Sequence, residues 1–415
     1  MTAAPGAGTL TSKEVVALLG IKPQTLYAYV ARGWVRAVAE PGSRTKRYVR
    51  EDVERLRIRS QAHGGQGAAA AAALHWGAPI ITTHITEITP AGPRYRGQPV
   101  LALAERGLPF ENTAEFLWTG LWRDRPVPWS TAALPPRFLQ AAALLGPGPI
   151  PRYADRLATL FHLLGEVQGE RAELTAGSLL PLARQALLMA TGALAYLRPA
   201  SHLVVAGRRQ RLASLAAHAL GQPGQAALMQ HLNLALTLGA DHELPPSTFV
   251  ARVIASTGGG LYSCLAGAAS AFHGVLSGND PDGLEPLLRK HRNPAAILRQ
   301  LATRQRQGRA VSGFNHPLYP EGDPRALALF RATQAVAPSA DLQCLLAVVA
   351  GARDRWGWQP SFHAGLLAVQ LAHGLPAGTA IALNLLGRLA GITAHIQEQR
   401  LSPVLIRPRA HYLAG

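Results

Sequence analysis

Lysine is scarce in this chain. Of its 41 basic residues only four are lysine (Lys13, Lys22, Lys46 and Lys290), so arginine carries most of a formal net charge of +17. With alanine, glycine and proline abundant, that bias reflects codon composition as much as function. The total charge is therefore a weak pointer to nucleic acid or to an anionic substrate. Cysteine is scarcer still. Cys264 and Cys344 can build neither a disulfide framework nor a metal-ligand spacing, so disulfide-stapled and zinc-ribbon classes are excluded and a reducing cytoplasm is expected, with no metal. No run of about 20 apolar residues and no charged-then-apolar leader is evident, so no membrane partner is expected. Charged residues make up only 16% against 48% hydrophobic, which excludes a disordered chain, and 415 residues imply two or three domains with a large core.

Charge is unevenly placed. Met1 to Ser60 holds eleven Lys and Arg against five Asp and Glu, a surplus of six in the first seventh of the chain. Leu10 to Gly20 predicts a helix capped by Thr11 or Ser12, striped by Val15, Val16, Leu18 and Leu19, and stopped by glycine. Pro23 opens a second helix with Leu26, Tyr29 and Val30 inward and Gln24, Thr25, Tyr27 and Ala28 outward. Arg44-Thr45-Lys46-Arg47-Tyr48 predicts a short basic strand pair, and Arg50 to about Arg57 a third helix. Helix, glycine turn, helix is a DNA-reading arrangement. The order of helix, Leu-Tyr-x-Tyr-Val, Arg-Gly and basic wing resembles a winged helix-turn-helix of the mercury-regulator and excisionase type. That resemblance implies duplex DNA as a partner, met as a dimer on an inverted repeat by Gln24, Thr25, Tyr27, Arg44, Lys46 and Arg47. A small helical module with no nucleic-acid role is the alternative.

Gln61 to Ala73, with Gly64, Gly65, Gly67 and six consecutive alanines, reads as a linker. The expected organisation is residues 1–59 as the first domain, 60–74 as linker and 75–415 as the main domain. From residue 121 to 240 the apolar repeats are helical in spacing, no strand of consequence is read, and His202, His218 and His231 are taken as packing or surface residues.

The densest chemistry lies between Gly239 and Gly274. His242 follows Asp241 in a loop before Pro245-Pro246, ahead of a helix expected to start at Ser247 and to carry Phe249, Val250, Val253 and Ile254 on one side. Gly258-Gly259-Gly260 breaks that helix, and a small-residue helix from Ser263 to Ala271 delivers His273. On these residues alone His242 also reads as a surface loop histidine and His273 as a helix-end cap. A second stretch, Val311-Ser312-Gly313-Phe314-Asn315-His316-Pro317-Leu318-Tyr319 to Asp323-Pro324-Arg325-Ala326, is a shaped loop presenting a histidine. A third sets Arg388 on a helix before Gly391 and His395, followed by Arg407-Pro408-Arg409.

Ala-Asp-His-Glu-Leu, Ser-Thr-Phe-x-Ala-Arg-Val-x-Ala-Ser-Thr-Gly, His-Gly, Gly-Phe-Asn-His with Asp-Pro-Arg, and the Arg388 helix together resemble the citrate synthase family from about residue 75 onward. The resemblance implies a mainly α fold of large and small helical domains, the small one inserted near 275–370, and a homodimer. It implies that His242, His316, Arg325 and Arg388 hold oxaloacetate, with Arg407 reaching in from the neighbouring subunit, and that His273 and His316 are catalytic. Acetyl-CoA or another acyl-CoA is then a substrate, and no cofactor is bound. Planar, permanently charged guanidinium forks suit two carboxylates, and a histidine donor suits a ketone under attack. Asn315 stands where the family has glycine and is the residue that best tolerates a left-handed turn.

Ser361 stands at the family's base aspartate. A general base contributes ~10²–10⁴ in rate, so the exchange implies a crippled enzyme, a different base (Asp354 or His363), or a retired site. Two functions follow. One is a weakened citrate-synthase-type acyltransferase; the other is a DNA-binding regulator that senses a dicarboxylate or acyl-CoA.

Overall fold

Helix punctuation follows local chemistry from the first turns of the chain. The computed structural model describes residues 9–31, 35–39, 45–50, 52–53, 81–130, 133–145, 153–169, 178–272, 283–307, 311, 313–336, 339–402 and 404–408. The chain is mainly helical and divides into two units, Met1–Thr82 with Arg407–Gly415, and Thr83–Ile406.

In the first unit, strand β1 (Thr9–Leu10) leads to helix α1 (Ser12–Leu19), whose Thr11 and Glu14 form a reciprocal capping box. Gly20 ends it at φ 60°, a conformation glycine adopts without strain. Helix α2 (Pro23–Ala31) starts on the proline, followed by strands β2 (Ala37–Ala39) and β3 (Lys46–Val49). The antiparallel order is β1-β3-β2, with Val38 opposite Arg47. A small core of Leu10, Val15, Leu26, Val35, Tyr48 and Val53 is packed by Tyr29 and Val30, as the helical spacing predicts. Residues 50, 52 and 53 are helical, and the rest of the expected third helix and the linker at 60–74 lie outside the described residues.

The second unit opens on a small antiparallel sheet, β4 (Thr86–Thr89), β5 (Gly92–Tyr95) and β6 (Gln98–Pro99). Helices α3 (Val100–Glu105), α4 (Phe110–Thr119), α5 (Pro136–Leu144), α6 (Tyr153–Gln168), α7 (Leu179–Gly192), α8 (Leu212–Ala219) and α9 (Ala226–Leu238) follow. After them come α10 (Pro246–Ser256), α11 (Leu261–Phe272), α12 (Leu284–His291), α13 (Pro294–Arg306), α14 (Pro324–Thr333), α15 (Ala340–Trp356), α16 (Phe362–Ala372) and α17 (Thr379–Leu401).

Helix α17 is the hub. Its sequence is apolar on every side, and it packs against α4, α7, α9, α10, α11 and α16. Leu383, Leu386, Leu389 and Ile392 are fully buried, each such side chain contributing about 1.5–3 kcal/mol of transfer energy. From α4, Trp118 Nε1 donates to the Ala390 carbonyl at 2.9 Å.

Three sequence expectations are corrected. Helix α10 begins at Pro246 rather than Ser247, because proline fits the first helical position without needing a hydroxyl cap; Ser247 is instead buried. Its most deeply buried face is Ser247, Thr248, Ala251, Arg252 and Ala255, while Phe249, Val250, Val253 and Ile254 are only half-buried. Among the described residues two stretches, Leu179–Leu197 and Thr379–Leu401, are long and apolar enough to cross a membrane. They are, respectively, 83% and 89% buried within the protein, where apolar surface on all sides is what a central helix requires.

Candidate functional site

Three segments converge on a buried basic cluster: the turn after α9, the loop leading into α14, and the middle of α17. On α17, Arg388 and Gly391 are three residues apart and His395 a further four, a spacing that puts them on one face. Gly391 N donates to the Ala240 carbonyl at 2.9 Å, and a side chain at 391 would land on the Asp241 carboxylate, so glycine lets α17 press directly against the turn. Asp241 is fully buried; its backbone N–H donates to Tyr95 Oη at 3.1 Å, and its Oδ2 accepts from Glu243 N at 3.1 Å. Glu243 takes φ 64°, a left-handed turn that aims His242 into the cluster.

His242 Nε2 lies 3.1 Å from Tyr319 Oη, and its ring meets that of His316 edge-on at 5.0 Å between centroids. Asn315 adopts φ 51°, the left-handed conformation expected where glycine is replaced. Its amide also works. Asn315 Oδ1 accepts from Gln359 N at 3.0 Å while its own N–H donates to the Gln359 carbonyl at 2.8 Å, and Phe314 bridges Pro360. Ser361 N donates to the Gly313 carbonyl at 2.9 Å, so position 361 is lashed to the histidine loop. Ser361 caps α16 as a buried residue whose hydroxyl makes no capping hydrogen bond. Leu318 N donates to His316 Nδ1 at 3.2 Å, which leaves the ring proton on Nε2 as a donor.

Both arginines are buried charges. Arg325 pairs with Asp323 through two bonds of 3.0 and 2.8 Å, and its guanidinium lies 4.5 Å from the Phe362 ring centroid. Arg325 Nη1 and both Nε and Nη1 of Arg388 are buried with no partner among the described residues. Burial, and then the neighbouring arginines, holds His242 well below the usual imidazole range and brings His316 down to about 4. Burial brings Arg388 down to about 10, against the pull of Asp241, and pushes Tyr319 up to about 12. Both carboxylates are engaged: Asp323 on Arg325 within the cluster, and Asp241 with His395 at 3.3 Å. The cluster is thus an Arg325–Asp323 ion pair, an Arg388 guanidinium with two open nitrogens and two neutral imidazoles, and the positive charge left on Arg388 suits a ligand that brings its own negative charge.

Of the sequence candidates, His242, His316, Arg325 and Arg388 come together, with Ser361 tied to the same loop. His273 lies outside the described residues. Asp354 is exposed on α15, His363 is half-buried, and Arg407 is exposed beyond the end of α17. Of the N-terminal candidates, Gln24, Tyr27 and Lys46 are exposed and Thr25 is half-buried; Arg47 is half-buried with Nε donating to Thr9 Oγ1 at 3.0 Å, and Arg44 lies outside the described residues. Sequence reasoning missed Tyr95, Tyr319, Arg252 and His395 as members of the site or its support. Only the i, i+3, i+7 spacing on α17 could have flagged His395. A separate cavity of about 300 Å³, lined by Trp129, Met189 and Val204 among others, shares no residue with this cluster.

The chain is 32% identical over 189 residues to the citrate/2-methylcitrate synthase of Bacillus subtilis, covering 44% of this chain and 51% of that protein. It is 26% identical over 367 residues to a 2-methylcitrate synthase of Mycobacterium tuberculosis, covering 81% and 88%. The chain spans about half the length of the Bacillus relative and of a 2-methylcitrate synthase from Shewanella oneidensis. The fold resembles citrate synthase from Thermotoga maritima (TM-score 0.67, 24% identity, 82% of this chain and 94% of that chain). It also resembles the Thermoplasma acidophilum citrate synthase solved as a ternary complex with carboxymethyl coenzyme A and oxaloacetate (TM-score 0.66, 19% identity, 81% and 94%). The family model for the citrate synthase C-terminal domain matches residues 73–409, well over half of the sequence, and the chain belongs to the citrate synthase family.

Proposed function

We propose that the protein condenses an acyl-CoA with oxaloacetate, and does so slowly. The observation that carries this is the pair of buried guanidiniums, Arg325 and Arg388, with three N–H-bearing atoms unpartnered. Arg325 is already paired with Asp323 through Nε and Nη2, but a buried guanidinium with open N–H groups is costly, and a dicarboxylate would satisfy the Arg388 fork and the remaining Nη1 of Arg325. In this scheme Arg325, Arg388, His242 and the neighbouring subunit's copy of Arg407 hold the carboxylates. His316 Nε2–H donates to the ketone oxygen, and His273 donates to the thioester oxygen as the enol forms. The methyl carbon gives up a proton to water and bonds to the ketone carbon, the ketone oxygen takes a proton from His316, and water cleaves the thioester to release free CoA and a carboxylate. What is missing is a side-chain acceptor for the methyl proton, since Ser361 is neutral and His316, titrating at about 4, is a weak base. The homodimer, the domain division at 60–74, the small domain near 275–370 and a cytoplasmic location belong to the same proposal.

Thiol release from acetyl-CoA and from propionyl-CoA with oxaloacetate tests this. Ser361→Asp is expected to raise a slow wild-type rate by the ~10²–10⁴ of a general base. A wild-type rate on the order of 10 s⁻¹ or more would show that another group serves as base and overturn the slow-enzyme reading.

A second reading, a ligand-responsive DNA-binding regulator, draws on one further observation. Helix α2 exposes Gln24 and Tyr27, strand β3 exposes Lys46, and Tyr27 is 61% exposed, unusual for so large an aromatic side chain. Selection of duplex sequences by the full-length protein at moderate salt is expected to enrich an inverted repeat, and Tyr27→Ala to lose it. Recovery of no motif would remove this reading.

A further inference from the structure

Behind His242 runs a line of buried polar groups that, among the described residues, makes no hydrogen bond to the two arginines' open N–H atoms. Arg252, on α10, is 3% exposed, and His395 and Asp241 are fully buried. Arg252 Nη1 lies 3.3 Å from His395 Nδ1, and His395 Nε2 lies 3.3 Å from Asp241 Oδ2. Arg252 is itself fixed: Nε donates to Gln399 Oε1 at 2.9 Å and Nη1 to Glu398 Oε2 at 2.7 Å, while Glu398 Oε1 accepts from His84 N at 2.7 Å.

The chemistry of the end members sets the middle one. A guanidinium has only donors, so His395 Nδ1 must accept. Its single ring proton then sits on Nε2 and points at Asp241 Oδ2. That same oxygen accepts from Glu243 N and closes the left-handed turn holding His242 between Asp241 and Glu243. We infer that Arg252 and His395 are positioning residues: through Asp241 they fix the turn that aims His242 at Tyr319 and His316, and so set the affinity of the site for a dicarboxylate. This deepens the proposed dicarboxylate reading, and rests on it only for its ligand readout.

Two substitutions separate positioning from mere filling. Glutamine at 395 can offer a carbonyl to Arg252 and an amide N–H to Asp241, whereas phenylalanine keeps the ring volume and offers neither. Titration calorimetry with oxaloacetate and with citrate is expected to find His395→Gln within about threefold of wild type. His395→Phe, which leaves the buried Asp241 carboxylate without its imidazole donor, is expected to bind about tenfold or more weakly. In parallel, amide hydrogen exchange of the ligand-free protein is expected to show faster exchange of Glu243 and its neighbours in His395→Phe but not in His395→Gln. A folded His395→Phe that binds with wild-type affinity and keeps its turn protected would overturn the inference. So would His395→Gln behaving as badly as His395→Phe, since the donor-acceptor pattern would then not be what matters.

Should His395→Phe fail to fold, Arg252→Gln, which removes the fixed charge but leaves the His395–Asp241 bond, takes its place. Unchanged affinity and unchanged exchange in Arg252→Gln would also overturn it. If wild type itself binds neither acid, the dicarboxylate reading fails, and hydrogen exchange alone decides the positioning role.

Discussion

At the scale of single residues, the cluster sacrifices stability for recognition. Arg388 is buried with two nitrogens unpartnered, so removing the charge should stabilise the empty protein. Arg388→Met is expected to raise ligand-free stability by about 1–2 kcal/mol and to abolish any rise in thermal midpoint with millimolar oxaloacetate. A variant that is less stable and still responds to ligand would contradict the assignment. The histidines give a pH signature. His316 in the site and His373, which pairs with His231 at 2.8 Å, are each lowered to about 4, chiefly by burial. Above the ordinary imidazole range both folded and unfolded states are neutral there and nothing changes. As pH falls from about 6.5 towards 4 the unfolded chain takes up protons that the native state refuses, so stability is lost across that window. His373→Asn is expected to flatten the loss between pH 6.5 and 4 in denaturant titrations without altering stability's slope above pH 7.

At the scale of elements, α17 and the loop at 313–316 decide the geometry. Gly391 lets α17 touch the Asp241 turn, and an added methyl there has no room. Gly391→Ala is expected to cost about 1–3 kcal/mol and to weaken oxaloacetate binding, whereas Gly357→Ala, with open space around it but φ 68°, should lower stability alone. Thermal midpoints with and without ligand distinguish the two. Much of this level was legible beforehand. The hydroxyl cap of α1, expected at Thr11 or Ser12 and found at Thr11, the proline start of α2 and the left-handed Asn315 all follow from interactions spanning a few residues. The inward face of α10 did not. Its apolar residues suggested one side, but the neighbouring helices approach the small residues and Arg252, because close packing rewards small side chains where helices cross.

At the scale of the whole molecule, Arg407 distinguishes a shared site from a self-contained one. It is exposed beyond α17, and the proposal draws it from the neighbouring subunit. A co-expressed pair carrying Arg407→Ala in one chain and Arg388→Ala in the other should regain one intact site per dimer. Neither parent homodimer should have any. Calorimetry with oxaloacetate is expected to give half the wild-type stoichiometry for the mixed dimer and no binding for the parents. If the mixed dimer also fails to bind, Arg407 acts within its own chain, and if the Arg407→Ala homodimer binds, Arg407 has no part in the site.

By itself the sequence determined the helical class, the family likeness and most helix starts and stops, and it named His242, His316, Arg325 and Arg388 as candidates. Each of these is written in a contiguous motif or in a period of a few residues. Only the tertiary structure decided that Asp241 and His395, 154 positions apart, share a hydrogen bond, or that Tyr95 supports the turn after α9. It alone showed Ser361 tied through its backbone to the histidine loop. Local signals reach three or four residues along a chain, whereas the pairing of a buried charge is settled by whichever distant segment can satisfy it at the lowest cost in desolvation.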